Sequence, residues 1–297
     1  MSQDSFVYRY PPLQPGVLIK RYKRFMADIE LDSGEVVTAH CPNTGPMTGV
    51  CIPGNRVQVS KSDNPKRKLA YTWEMIELCV KPAVSQKGMG AACPKDLASP
   101  LGNRIPTWVG VNTALPNRVV KLALEQRCIP ELNAYEQIRS EVPYGADKKS
   151  RIDFLLTAGG APDSEKSQKQ QSGTEKSKTG KSRAGKSETR QSEKQIYVEV
   201  KNTTWAQGEL ALFPDTVTTR GQKHLRELMD LPEPAQAVML YFINRGDCLE
   251  FSPGDSADLI YGQLLREAIQ KGVTVLPCRF EVSPEGIRYL GLATLKL

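Results

Sequence analysis

The sequence predicts an α/β protein, α+β overall, in two parts: a small β-barrel over residues 1–85 and a larger mixed-sheet domain over residues 86–297. Three observations predict this. Residues 14–80 alternate apolar and polar side chains with period two and are cut by turn signals, the pattern of short half-buried strands. From Thr107 onward strand-like and helix-like stretches follow one another, the order that builds a sheet with helices packed on it. Between two of the later strands, from about Thr157 to Gln195, the chain is dominated by Gly, Ser, Lys, Gln and Glu. Such a segment buries too little apolar surface to offset chain entropy, so a disordered insertion is expected there.

Each element has its own signal. The first strand is read through Val17, Ile19, Tyr22, Phe25, Ala27, Ile29 and Leu31, and Asp32-Ser33-Gly34-Glu35 has the composition of a hairpin turn. Residues 36–41 return as a second strand, followed by a Pro/Gly-rich loop at 42–49. Strands at 56–60 and 69–78, joined by the basic turn 63–68, bring the set to about five and suggest an OB-like barrel. Residues 81–106 read as a surface connection. Residues 107–112 form a strand, 115–124 a helix with Pro116 in its first turn, and 132–139 a second helix. Residues 150–156 and 196–202 are strands flanking the insertion, which becomes an elongated hairpin loop of small closure cost. After an irregular segment at 205–213, Asp215 is read as the N-cap of a helix that buries Leu225, Leu228 and Met229. A central buried strand at 237–243, an amphipathic helix at 257–268 and a strand at 273–277 complete the order.

The two strands beside the insertion carry charge where apolar residues are expected. Asp153 interrupts Ser150-Arg151-Ile152-Asp153-Phe154-Leu155-Leu156, and Glu199 and Lys201 interrupt Ile196-Tyr197-Val198-Glu199-Val200-Lys201-Asn202. Residues two apart on a strand share a face, so Glu199 and Lys201 lie side by side. Two carboxylates and a lysine are the minimum set for holding Mg²⁺ or Mn²⁺ and activating a water against a phosphodiester. In this reading Asp153 and Glu199 ligate the ion, with the Val200 carbonyl as a further ligand. Lys201 orients the water or neutralises charge on the phosphorane oxygens. Glu141 is the first candidate for a third acidic ligand and Glu136 the second, while Arg220, Lys223 and His224 steady neighbouring phosphates. The competing reading is a buried ion-pair network of Asp153, Glu199, Lys201 and Arg151.

With 40 Lys and Arg against 33 Asp and Glu, the net charge of +7 favours an anionic partner, nucleic acid first. Lys20, Arg21, Lys23 and Arg24 alternate with Tyr22 and Phe25, a pattern that suits cations on phosphates and rings on bases. A solvated strand edge would carry the same lysines. No helix-turn-helix or zinc-finger pattern suggests reading of base edges, and RNA is the less favoured partner. Seven cysteines scattered singly read as reduced, mostly structural thiols, and two histidines exclude a histidine-rich metal site. No apolar run reaches the roughly 20 residues of a membrane span, and residues 1–9 lack a secretory pattern, which points to a cytoplasmic protein. Residues 180–187 match a phosphate-binding P-loop, but neither flank supplies the strand and helix that such a loop requires.

An ordered set of stretches resembles the sugar fermentation stimulation protein A family of bacteria and archaea. They are Arg21-Tyr22-Lys23-Arg24-Phe25, His40-Cys41-Pro42-Asn43-Thr44-Gly45-Pro46-Met47, Gly110-Val111-Asn112-Thr113, Ser150-Arg151-Ile152-Asp153-Phe154, Val198-Glu199-Val200-Lys201, Phe213-Pro214-Asp215 and Arg220-Gly221-Gln222-Lys223-His224-Leu225. The resemblance implies an N-terminal OB-like domain and a C-terminal domain with the restriction-endonuclease-like fold of PD-(D/E)xK nucleases. It also implies sequence-nonspecific DNA binding and a regulatory link to sugar, especially maltose, metabolism. Two features depart from the pattern: Ile152 stands where the nuclease signature has proline, and the insertion is longer than the usual connection. The expected nucleic-acid-binding set is Lys20, Arg21, Lys23, Arg24, Asn43, Arg220, Lys223 and His224. The competing expectation is a DNA-binding regulator on an inactive nuclease fold.

Overall fold

Period-two alternation in the N-terminal part closes into a barrel. The computed structural model describes residues 5–80, 105–145, 148–158 and 194–297; the expected connection before residue 105 and the P-loop match lie outside them. After a two-residue strand, β1 (Tyr8–Arg9), come β2 (Leu13–Tyr22), β3 (Met26–Leu31), β4 (Val36–His40), β5 (Arg56–Lys61) and β6 (Tyr71–Val80). They pair in the order β4-β3-β2-β5-β6, and β4 returns onto β6 through Ala39↔Tyr71 and His40↔Thr72. The inward positions, among them Leu18, Ala27, Ile29, Val57, Val59 and Trp73, are fully buried.

One boundary differs here. The single first strand is in fact β2 and β3, reversed at Lys23 and Arg24, whose φ angles are 48° and 64°. Those two basic residues take the left-handed conformation without glycine, so the turn carries no composition signal.

The sheet continues past the barrel without a break. β7 (Ile105–Gly110) pairs antiparallel with β6, and α1 (Leu115–Glu125) follows, its buried face formed by Leu115, Pro116, Val119, Val120, Ala123 and Leu124. The helix expected over 132–139 is absent. A 3₁₀ turn at Pro130–Leu132 leads instead into β8 (Gln137–Tyr144), an edge strand with most side chains in solvent. A strand paired on one side only needs no apolar alternation, so its pattern reads as polar. β9 (Ser150–Ala158) and β10 (Lys194–Thr203) pair antiparallel from Ala158↔Lys194 to Phe154↔Val198, the hairpin expected around the insertion.

β11 (Ala206–Gln207) and β12 (Leu210–Phe213) occupy the segment expected to be irregular. With β14 (Glu250–Pro253) and β17 (Thr294–Leu295) they form a separate four-stranded sheet. These strands are two to four residues long, and beyond the local β11–β12 hairpin they pair far along the chain, which hides them from local pattern. α2 (Thr219–Met229) is capped by Thr218, whose hydroxyl accepts from the Gly221 N–H at 3.1 Å, and not by Asp215. Asp215 lies too far upstream to reach the first turn and accepts instead from the backbone N–H groups of Met47 and Thr48.

β13 (Gln236–Ile243), α3 (Leu259–Gln270), β15 (Thr274–Ser283) and β16 (Gly286–Leu292) complete the chain. β10, β13 and β15 run parallel, inside a thirteen-stranded sheet whose main path is β4-β3-β2-β5-β6-β7-β15-β13-β10-β9-β8, with β16 paired to β15 and β1 to β16 off that path. β13 is buried on both faces, as expected for a central parallel strand. Val238, Leu240 and Phe242 join the α1 side, and Met239, Tyr241 and Ile243 the α2–α3 side. The fold is thus mixed α/β and mostly sheet, a barrel followed by a mixed-sheet domain, as the sequence predicts.

No helix among the described residues is long and apolar enough to cross a membrane. Cys41, Cys51, Cys128, Cys248 and Cys278 are free thiols, whereas Cys79 is disulfide-bonded, against the expectation of reduced thiols throughout. Isolated spacing in sequence does not prevent two cysteines from meeting in space.

Candidate active site

The hairpin and its parallel neighbour bring the unusual charges together. Glu199 is 3% exposed, and its Oε1 accepts from Lys201 Nζ at 2.6 Å and from His224 Nδ1. His224 projects from α2 and is buried; with Nδ1 donating to Glu199, its Nε2 accepts from Arg220 Nε at 3.4 Å. Glu199 Oε2 is buried with no hydrogen-bond partner among the described residues. Burial alone would raise the Glu199 carboxyl, but the His224 hydrogen bond and the Lys201 charge outweigh it and hold the group below its usual range.

Asp153 sits across from this group on β9. Its Oδ2 accepts from the Val200 N–H at 2.7 Å and its Oδ1 from Asn117 Nδ2 at 2.7 Å. Burial, and then the nearby Glu199 charge, push its carboxyl up to about 6, against the opposing pull of Val200, Lys201 and Asn117. The pair therefore titrates apart: one carboxylate is secured as an anion, the other is crowded. Asn117, in the first turn of α1, is missing from the sequence reading. It stands 36 positions from Asp153, and only the packing of α1 against β10 brings it near.

Other expected residues lie elsewhere. Glu141 is exposed, with φ of 55°, and its carbonyl accepts from Arg151 Nη1 at 2.8 Å; it does not join Asp153 and Glu199. Glu136 is exposed too, and Arg151 points to solvent rather than into a buried network. Lys223 donates to Ser150 Oγ at 3.0 Å and pairs with Glu227 at 3.3 Å, while Arg220 is exposed beside His224. On the barrel, Lys20, Lys23 and Arg24 are exposed, as is the Phe25 ring. Arg21 is not available to a ligand in the same way. Its Nη2 donates to the carbonyls of Asn43 and Gly45 at 2.8 and 3.0 Å, fastening the 42–49 loop to β2.

Asp153 and Glu199 offer hard oxygen donors of the kind Mg²⁺ and Ca²⁺ take. Glu199 Oε1 already meets the Lys201 ammonium and both Asp153 oxygens accept hydrogen bonds, so the unmatched acceptor of the pair is Glu199 Oε2. Among the described residues no three His, Cys, Asp or Glu side chains are placed to hold a metal together. Asp153 and Glu199 are the two residues that would hold such an ion, with water and substrate oxygens as its remaining ligands.

Fold and site together define a two-part protein, an OB barrel joined through one continuous sheet to an α/β domain with a part-buried Asp–Glu–Lys group. Residues 19–81 match the SfsA N-terminal OB domain, and residues 114–165 and 162–286 match the sugar fermentation stimulation protein RE domain. The chain is 57% identical to a sugar fermentation stimulation protein homolog of Trichormus variabilis, over 98% of each chain. It is 56% identical to another of Crocosphaera subtropica, over the whole of both. The chain belongs to the sugar fermentation stimulation protein family. A solved structure of Pyrococcus furiosus SfsA in complex with Ca²⁺ has the same fold, with a TM-score of 0.70, 21% identity and coverage of 99% of this chain and 100% of that one.

Proposed function

We propose that the chain is a cytoplasmic, sequence-nonspecific DNA-binding protein that cleaves phosphodiesters at Asp153, Glu199 and Lys201 with Mg²⁺ or Mn²⁺. The observation that carries this is the pair of carboxylates, Glu199 buried and Asp153 half-buried, with an orphan oxygen at Glu199 and an ammonium beside it. The Ca²⁺ complex of the Pyrococcus furiosus protein supports a divalent ion in the family. When bound, such an ion polarises the phosphodiester and lowers the pKa of a coordinated water. The protein's own part is positioning. Asn117 and the Val200 N–H hold Asp153, and His224 fixes Glu199. Lys201 supplies positive charge toward the phosphate oxygens, and exposed Arg220 extends it. The link to sugar fermentation in the family name follows, in this reading, from action on DNA.

One observation favours a second reading. Glu199 Oε1 is already satisfied by Lys201 and His224, as it would be in a structural ion-pair network on a DNA-binding protein without chemistry. A cleavage and gel-shift panel separates the two, using single-stranded, duplex and branched DNA and RNA with EDTA, Mg²⁺ or Mn²⁺. Cleavage is expected with metal, lost by at least a hundredfold in Asp153→Ala and in Lys201→Ala, with binding retained. Cleavage at the wild-type rate by either variant sinks the catalytic assignment. Shifts without cuts under every metal support the second reading.

A further inference from the structure

We infer that a cleft just beyond Lys201 on β10 receives one unstacked base of a nucleic-acid strand whose backbone lies at the Asp153–Glu199–Lys201 group. The inference rests on the proposed reading of that group and names the part of the substrate that the neighbouring surface holds.

The cleft has a volume of about 120 Å³ and is lined by Asn43, Asn202, Thr203, Trp205, Phe213 and Asp215, among others. Its position follows from strand geometry. Glu199, Lys201 and Thr203 alternate along β10 and so share one face, which places Thr203 roughly 7 Å beyond Lys201. A strand of nucleic acid with a phosphate at Lys201 therefore carries its adjoining nucleoside over the cleft.

The chemistry of the lining fits a base. Thr203 is 1% exposed, and its hydroxyl has no hydrogen-bond partner among the described residues. A buried hydroxyl left unpaired is costly, so a ligand atom that reached this one would gain by pairing with it. Asn43 Oδ1 is taken by the Gly45 N–H at 2.9 Å, and Asn202 Oδ1 by Asn244 Nδ2 at 3.1 Å, which leaves both amide NH₂ groups to donate. Asp215 adds an acceptor. The half-buried indole of Trp205 supplies a flat apolar surface, backed by Phe213, whose ring packs on Tyr241 and Tyr261. Donors and acceptors at an edge with rings at a face are how single-stranded bases are held.

The cleft is also built in advance. Arg21 holds the carbonyls of Asn43 and Gly45, Thr113 donates to the Pro42 carbonyl at 2.9 Å, and the N–H groups of Met47 and Thr48 meet Asp215. The barrel thus contributes one wall and β10 the other.

The test uses the full chain, with EDTA to prevent cleavage and fluorescence anisotropy on a labelled oligothymidylate. A parallel series of strands carries a single abasic position moved along the sequence. Loss of one base at the critical position is expected to weaken wild-type binding roughly five- to hundredfold, the worth of one stacked base. Trp205→Leu should weaken binding of the intact strand by a similar factor and become indifferent to the abasic position, and Trp205→Phe should restore both. Wild-type binding indifferent to every abasic position, or undiminished sensitivity in Trp205→Leu, overturns the inference; the first result needs no variant to fold. If duplex DNA is still bound or cut in those cases, the proposed function stands and the base site alone falls. If the wild type binds no nucleic acid at all, both fall.

Discussion

Asp153 is held in a conformation its charge opposes, and this has a measurable consequence. Its carboxyl is pushed up to about 6 by burial and by Glu199, whereas an unfolded aspartate titrates near 3.9. Between those values the native state binds more protons than the unfolded one, so stability falls as pH rises from about 4 to 6 and stays reduced above. Two pH units correspond to at most about 3 kcal/mol. In metal-free solution Asp153→Asn should therefore be more stable than wild type at pH 7.5 by about 1–3 kcal/mol, with the gap closing as pH falls through 6 toward 4. The amide can still accept from the Val200 N–H, and Asn117 can turn its own oxygen to meet the new NH₂. Chemical denaturation across this pH range checks it, and a wild type that is the more stable at pH 7.5 would show that the carboxylate is not crowded. The same crowding is what a cation would relieve. Adding Mg²⁺ or Ca²⁺ should raise the wild-type melting temperature by mass action and leave that of Asp153→Asn unmoved.

At the scale of elements, the β9–β10 hairpin is fixed by its own pairing and not by what joins its strands. Ala158 and Lys194 are cross-strand partners, and β10 is held on its other side by β13 from Ile196↔Gln236 to Thr203↔Ile243. Replacing residues 159–193 by a short turn should leave Asp153, Glu199 and Lys201 in place. It should stabilise the chain by about 2 kcal/mol, from roughly three halvings of loop length at about 0.6 kcal/mol each. A denaturation midpoint that drops after the excision would mean that the segment packs on the fold. This hairpin was legible because Asp153, Glu199 and Lys201 break apolar runs, and a charge in a buried strand stands out in one dimension. β8 was misread for the converse reason, since an edge strand in solvent has no burial to imprint on its sequence. Asn117 was invisible because its role comes from where α1 packs, and no spacing along the chain encodes that. Thr203 escaped notice too, as a hydroxyl is unremarkable in a strand until its lack of a partner is seen.

At the scale of the molecule, the barrel and the α/β domain share one sheet, so the barrel's basic tip and the carboxylate group belong to one continuous framework. Not all of that tip is equivalent. Lys20, Lys23 and Arg24 stand in solvent, and the Lys20 contact to Asp28 at 3.5 Å is a surface pair of little worth. Arg21 is committed to the loop that walls the cleft. Under the proposed reading the first three meet phosphates and release counterions on binding, at a slope of about 0.9 per contact in duplex DNA. Removing all three charges should weaken duplex binding at every sequence and flatten the plot of log affinity against log salt by roughly 2–3. Arg21→Ala should behave differently, weakening single-strand binding through the loosened loop while leaving the salt slope nearly intact. Affinities of the two variants from low to physiological salt decide the matter. If Arg21→Ala flattens the slope as much as the triple variant, Arg21 leaves its carbonyls to meet a phosphate. If the triple variant changes nothing, DNA does not touch this face of the barrel, and the binding surface lies along β10 and α2.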